Sequence, residues 1–133
     1  MRRLLPFAAL ALALAGCGGG KEVGPFPVTV VGTVAQAPSG AVAGKALYAA
    51  NGCGSCHTFK PAASTGKVGP DLDKLAADAQ KANRGSLAQY TRESIEDPGA
   101  YVVPSYPNGV MPSFKGKLTD SQINDLVAFL TKS

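Results

Sequence analysis

The sequence predicts an all-α domain, residues 43–133, behind an export signal and a flexible segment. Three observations support this prediction. From about Ala43 onward, apolar residues recur at the three- and four-residue spacing of amphipathic helices. Residues 17–42 are instead rich in glycine and proline, which disfavour a helix. Residues 1–16 combine two arginines with an apolar run, which is typical of a secretory signal.

The end of the signal carries a recognisable cleavage pattern. Leu14-Ala15-Gly16-Cys17 resembles the lipobox of bacterial lipoproteins, which implies cleavage before Cys17 and a diacylglycerol on its sulfur. Two or more acyl chains anchor a protein stably, whereas one does so only marginally. A plain signal peptide and an uncleaved anchor helix are the alternatives. The run Leu4–Leu14 has about eleven residues, too few for a bilayer crossing of about twenty.

Residues 17–42 are predicted to be a tether between the lipid and the helical domain. Gly18–Gly20 begin it, and Val28–Val34 is compatible with a short extended piece because it is β-branched and bounded by turn formers. The formal net charge of +4 falls to +2 once Arg2 and Arg3 leave with the signal. No basic run occurs in the sequence, so nucleic-acid binding is not predicted.

The pentapeptide Cys53-Gly54-Ser55-Cys56-His57 is the C-x-x-C-H pattern that attaches haem covalently. Near a helix end, two cysteines at this spacing present their sulfurs on one side, where each forms a thioether with one porphyrin vinyl group. The following histidine is held beneath the ring, where an imidazole nitrogen coordinates the iron. The sequence therefore predicts one haem c bound through Cys53 and Cys56, with His57 as a metal ligand.

Two other uses of this motif have less support. A thioredoxin-like redox pair would need a βαβ pattern around the cysteines, and a zinc site would need a second pair of ligands. The sequence offers neither: His57 is its only histidine, and the remaining cysteine, Cys17, belongs to the lipobox. The remaining alternative is that the C-x-x-C spacing arose by chance or belongs to a redox-active cysteine pair.

Helical spacing and stop signals predict four helices. The first runs from about Ala43 to a stop at Asn51-Gly52, and the second from about Asp71 to Lys81. The third begins after Ser86 as N-cap and ends at Asp97-Pro98-Gly99. The last begins at Thr119, which forms a capping box with Gln122. Residues 60–67 are predicted to be a loop because proline, glycine, serine and threonine concentrate there.

Several of these segments together resemble the class I cytochromes c. Gly44-Lys45-Ala46-Leu47-Tyr48, followed by Asn51-Gly52 and the haem motif, resembles the amino-terminal helix of that family. The resemblance continues through Gly69-Pro70-Asp71-Leu72, the loop around Met111 and the last helix. It implies the class I cytochrome c fold, with helices packed around one covalently bound haem.

The resemblance also implies roles for individual residues. The Pro70 carbonyl would accept the second ring N–H of His57, the alternative being an ordinary turn proline. Leu72 would pack on the porphyrin or on the core. The first and last helices would cross near Gly44, where Tyr48 and Phe129 would make an aromatic contact.

The second axial ligand is expected in the loop from Ala100 to Lys117. The chain has two methionines, and Met1 is lost with the signal, so Met111 is the only thioether available. Three prolines stiffen this loop. The alternatives are a core methionine, or an iron with an open, water-bound or lysine-bound position. Residues 106–112 also resemble the haem domain fused to subunit II of some bacterial haem-copper oxidases.

His57 and Met111 together would fill both axial positions of the iron. The iron could then bind no substrate and could only gain or lose an electron. We therefore expect no enzyme but a single-electron carrier, anchored by lipid outside the cytoplasm of a bacterium. Its donor and acceptor would be redox proteins of a respiratory chain, such as a cytochrome complex and a terminal oxidase. The alternative is a haem c relay subunit of a periplasmic oxidoreductase or terminal oxidase complex.

Overall fold

A computed structural model describes residues 37–132 of the chain. The predictions for residues 1–16, Cys17 and Val28–Val34 lie outside this range. Within it the helices are α1 (Ala41–Ala50), α2 (Cys53–Cys56), α3 (Leu75–Ala82), α4 (Leu87–Glu96) and α5 (Asp120–Thr131). None of these helices has the length and apolar character that a bilayer crossing requires. The predicted helical class is confirmed for this part of the chain.

Helix α1 begins at Ala41, two residues before the predicted domain boundary. The backbone N–H of Gly40 donates to the Asp125 carboxylate at 2.6 Å, so the entry to α1 is fixed against α5. At the other end the side-chain amide of Asn51 donates to the Leu47 carbonyl at 2.8 Å, and Gly52 has a φ of 68°. The predicted stop at Asn51-Gly52 is confirmed, because Gly52 adopts the left-handed conformation that ends a helix.

The segment predicted as a loop, residues 60–67, overlaps a small hairpin that begins at Thr58. Strand β1 (Thr58–Phe59) pairs antiparallel with β2 (Ser64–Thr65), with Thr58 opposite Thr65, and a 3₁₀ turn at Lys60–Ala62 connects them. Ala63 has a φ of 52°, which closes the connection. Two-residue strands leave no alternating pattern in the sequence, so neither strand was predicted, and β2 falls inside the predicted loop.

The predicted second helix has two parts. A 3₁₀ turn at Leu72–Lys74 precedes α3, and the Asp71 side chain accepts the backbone N–H of Asp73 at 3.1 Å. This short-range bond favours the tighter winding at the start. The helix ends at Asn83, whose φ of 50° is left-handed.

Helices α4 and α5 both begin with a capping box. Ser86 and Gln89 bond reciprocally at the start of α4, and Thr119 and Gln122 do so at the start of α5. The predicted N-caps of both helices are therefore confirmed. Each box satisfies two backbone donors that a helix start otherwise leaves unpaired.

The core is centred on the crossing of α1 and α5. A β-carbon on Gly44 would lie 2.0 Å from the Asp125 carbonyl oxygen, so only glycine permits this approach of the two backbones. The rings of Tyr48 and Phe129 lie 5.8 Å apart edge to face, and Phe59 lies 5.3 Å from Phe129. The expected crossing at Gly44 and the expected Tyr48–Phe129 contact are both confirmed.

A second, smaller cluster lies between α3 and α4. Its buried members are Leu75, Ala79 and Tyr90. The half-buried Leu72 and Leu130 pack against both this cluster and the main core. The two clusters form part of the wall of one cavity, and the chain between α4 and α5, called here the methionine loop (residues 97–119), forms much of the rest.

Candidate functional site

The haem motif folds into the single turn of α2. Cys53 and Cys56 begin and end this turn, and the backbone N–H of His57 donates to the Cys53 carbonyl at 3.0 Å. Both cysteines are half-buried, form no disulfide and line the cavity. One tight turn thus brings the two sulfur-bearing residues and the histidine to the same cavity wall.

His57 is oriented by a residue from another part of the chain. Its side chain is buried, and its Nδ1 lies 2.8 Å from the carbonyl oxygen of Pro70. A carbonyl can only accept, so Nδ1 must carry the hydrogen, which leaves the lone pair on Nε2. Such a bond fixes the ring and makes Nε2 a stronger donor to a metal.

Two glycines, Gly66 and Gly69, leave room for the haem motif. The sequence did not predict this role for either of them. A β-carbon on Gly69 would lie 2.5 Å from Cε1 of His57, and one on Gly66 would lie 2.6 Å from the carbonyl oxygen of Ser55. The backbone N–H of Gly69 also donates to the Cys56 carbonyl at 2.8 Å. The chain after the hairpin therefore packs directly against the motif and the imidazole ring.

The cavity brings together the site residues predicted within the described range. Besides the two cysteines, His57, Pro70, Leu72 and Met111 all line it. Further wall residues come from α3, α4, α5 and the methionine loop, and most are apolar; examples are Leu75, Ile95, Val102, Phe114, Leu126 and Leu130. The predicted lipidation site, Cys17, lies outside the described residues.

Met111 reaches the cavity from the methionine loop. The backbone N–H of Phe114 donates to the Ile95 carbonyl at 3.1 Å, and the Ser113 hydroxyl donates to the Glu96 carbonyl at 2.5 Å. These bonds attach the loop to the end of α4 just after Met111. Met111 is half-buried, whereas its neighbour Val110 is 51% exposed. The loop thus directs Met111 toward the cavity and leaves the neighbouring Val110 largely exposed at the surface.

Burial dominates the electrostatics of the wall. It raises the pKa of the Cys53 thiol, and the neighbouring Cys56 acts in the same direction. It also raises the pKa of Tyr90, to which the charge of Asp78 contributes next. Nucleophilic redox cysteines have a lowered pKa, so Cys53 does not resemble a thioredoxin-type thiol.

The residues present fit a covalently attached haem. Two unpaired cysteines border an apolar cavity, and the Nε2 of a buried, hydrogen-bonded histidine is available to a metal. The close packing of Gly69 on the imidazole holds the ring at a fixed orientation. The only other sulfur donor of the described residues, Met111, lines the same cavity.

Comparisons with known proteins agree with this geometry. The family model described as cytochrome c matches residues 41–133. Cytochrome c6 from Synechocystis sp. is 28% identical over 87 residues, which is 65% of this chain. The match spans 60% of that relative's own length. The family match begins at the residue where α1 begins and includes all the wall residues of the cavity.

Proposed function

Because the chain belongs to the cytochrome c family, with its covalent c-type haem, we propose that it is a membrane-tethered carrier of single electrons. A c-type haem supplies a reversible one-electron change at its iron. The observation that supports the proposal most directly is that His57 and Met111, an imidazole and a thioether, line the same cavity. With both as axial ligands, substrates have no coordination position.

Each of the predicted site residues has a task in this proposal. Cys53 and Cys56 would hold the porphyrin through two thioethers, and His57 would bind the iron. Pro70 keeps the hydrogen on Nδ1 of His57, which leaves the lone pair of Nε2 available to the iron. Met111 would supply the second iron ligand, and Leu72 would pack against the porphyrin. None of these roles requires a proton or an atom to be transferred.

The proposal places the protein at the outer surface of a bacterial membrane. Its support is the lipobox-like sequence ending at Cys17 and the glycine- and proline-rich residues that follow. Lipid on Cys17 would confine the domain to the membrane surface, while the tether would let it move between partners. The electron donor and acceptor would be redox proteins of a respiratory chain, such as a cytochrome complex and a terminal oxidase.

The full-length chain, expressed with its signal in a bacterium that matures c-type cytochromes, provides the test. We expect a membrane-bound protein whose reduced form has a sharp α-band of the c type, and whose ferric form has the weak near-red band of methionine sulfur on iron. A Cys17→Ser variant should keep both bands and leave the membrane. Absence of haem from the exported protein would refute the carrier, and a membrane-bound Cys17→Ser variant would refute the lipid anchor.

Purification separates the carrier from a relay subunit. A carrier should leave detergent-washed membranes as a monomer that exchanges electrons with soluble redox dyes. A relay subunit should instead co-purify with stoichiometric partner chains from its native host. Recovery of such partners after repeated detergent washing would contradict the proposal of a free carrier.

A further inference from the structure

One wall of the cavity contains a charge that the proposed electron transfer does not use. Asp78 is the only aspartate, glutamate, lysine or arginine among the described residues that line the cavity. It lies on α3, where its neighbours Leu75 and Ala79 belong to the buried cluster with Tyr90. Its side chain is half-buried. Asp78 lies in the first turn of α3, where an acidic side chain stabilises the helix, and it also borders the cavity.

The charge of Asp78 acts toward the interior. Tyr90 is 3% exposed and also lines the cavity, and after burial the charge of Asp78 is the next cause that raises the pKa of its phenol. Within residues 37–132, no lysine or arginine nitrogen lies within 4 Å of the Asp78 carboxylate, since the ion pairs of this range involve other acids. Within this range the Asp78 carboxylate therefore has no ion-pair partner at contact distance.

We propose that Asp78 lowers the reduction potential of the haem held in this cavity. Loss of one electron makes the iron more positive, and a nearby carboxylate stabilises the more positive, ferric form. The effect opposes the thioether ligand and the apolar wall, which favour the ferrous form. The redox step is the gain or loss of one electron at the haem iron. No bond is formed or broken, and no proton is transferred. The inference rests on the proposed function, because it requires the haem to be bound in this cavity.

The test replaces the charge while retaining the shape. In Asp78→Asn, redox titration followed by visible spectroscopy should show a higher midpoint potential. At a fixed ambient potential, the ferric-to-ferrous ratio should fall about threefold to tenfold, as expected for one charge acting through a partly buried path. A tenfold change corresponds to about 59 mV for one electron.

Asp120→Asn is the matched control. It removes the same charge from a side chain that is 94% exposed and does not line the cavity. Added salt screens exposed charges more strongly than partly buried ones. The Asp78→Asn shift should therefore persist at high ionic strength, while any Asp120→Asn shift should shrink. Equal shifts in the two variants would overturn the proposal, because net charge alone would then explain both.

A second variant separates charge from packing. Asp78→Glu keeps the charge, so its potential should remain close to that of the unsubstituted protein. A shift in Asp78→Glu as large as that in Asp78→Asn would overturn the inference. The c-type α-band and the near-red band report the proposed function independently. If both bands are retained but the potential of Asp78→Asn is unchanged, the role of Asp78 fails and the carrier proposal stands.

Discussion

Gly69 packs against the imidazole ring of His57 so closely that a β-carbon on Gly69 would lie 2.5 Å from Cε1 and 2.9 Å from Nδ1. The next residue, Pro70, accepts the hydrogen of that same Nδ1 at 2.8 Å. Two consecutive residues thus fix the ring, one by contact and one by a hydrogen bond. The position of Nε2, the nitrogen proposed to bind the iron, depends on both.

Gly69→Ala should displace the imidazole and weaken the site. Overpacking a close contact costs about 1–3 kcal/mol, and the ring, being hydrogen-bonded to Pro70, cannot move away freely. We expect a lower free energy of unfolding and a diminished near-red band in the ferric spectrum. Gly99→Ala is the control, because its added β-carbon would meet atoms no closer than 3.6 Å. Unchanged spectra and stability in Gly69→Ala would contradict the close packing.

Gly44→Ala tests the crossing of α1 and α5. Helix propensity alone would make alanine more stable than glycine by about 1 kcal/mol. The new β-carbon would, however, lie 2.0 Å from the Asp125 carbonyl oxygen and 2.6 Å from Cβ of Phe129. We therefore expect a net loss of about 2 kcal/mol or more in denaturant unfolding of the haem-bound protein.

Lys45→Ala is the control for this substitution, since Lys45 lies on the exposed side of the same helix. Its free energy of unfolding should change by no more than about 0.5 kcal/mol. A Gly44→Ala variant as stable as the control would show that the two helices can separate without cost.

Met111→Leu should open the sixth coordination position. Leucine has nearly the volume of methionine, so the fold should lose less than about 1.5 kcal/mol. The thioether favours the ferrous form, so its loss should lower the midpoint potential, and the reduced protein should now bind carbon monoxide at neutral pH. The measurement is the visible spectrum of the reduced protein with and without the gas.

Val110→Ala is the matched change beside Met111, at a side chain that is 51% exposed. It should leave the spectrum unchanged and the reduced protein unreactive to carbon monoxide. Binding of the gas by the unsubstituted protein would refute Met111 as the second axial ligand.

The protein without attached haem should be largely unfolded. The two core clusters are bridged by the half-buried Leu72 and Leu130 at the wall of the cavity, and a domain of this size has little other apolar surface to bury. A Cys53→Ala/Cys56→Ala variant should therefore lose most of its helical far-UV circular dichroism. Ser55→Ala, which retains both cysteines, should keep it. Native helicity in the double variant would refute the prediction.

The ion pair of Arg84 with Glu93 should make stability depend on acid pH. The Arg84 guanidinium donates to both Glu93 oxygens, at 2.6 and 2.5 Å, and lowers the pKa of that carboxyl below its usual value of 4.5. A carboxyl with a lowered folded-state pKa stabilises the fold above its unfolded-state pKa. That contribution is lost as the pH falls through the lowered folded-state value.

Glu93→Gln measures this contribution directly. The variant should unfold more easily than the unsubstituted protein at neutral pH, and the difference should decline below about pH 4.5. Denaturant titrations across this pH range give the comparison. A difference that stays constant down to the most acidic pH would show that the charge of Glu93 has no part in it.

Local patterns determined much of the fold before any tertiary information. The capping boxes at Ser86 and Thr119 and the stop at Asn51-Gly52 depend on bonds between residues at most four positions apart. Such bonds are encoded in short stretches of sequence. The haem motif is local in the same sense, because one helical turn places Cys53, Cys56 and His57 on one wall.

Other features required contacts between distant parts of the chain. The hairpin at residues 58–65 is too short to show a periodic pattern, and no local signal distinguished Gly66 or Gly69 from ordinary turn glycines. The resemblance to class I cytochromes c implied that His57 donates to the Pro70 carbonyl, but this bond joins residues thirteen positions apart.

The sequence by itself thus determined which residues are chemically able to hold haem and where the main helices lie. The tertiary structure decided which elements bring Met111 and His57 to one cavity, that Gly69 packs on the imidazole ring, and that Asp78 lines the wall. The physical reason is that helix periodicity and capping act within one or two turns. The shape and charge of a cavity depend instead on which faces of separate elements meet.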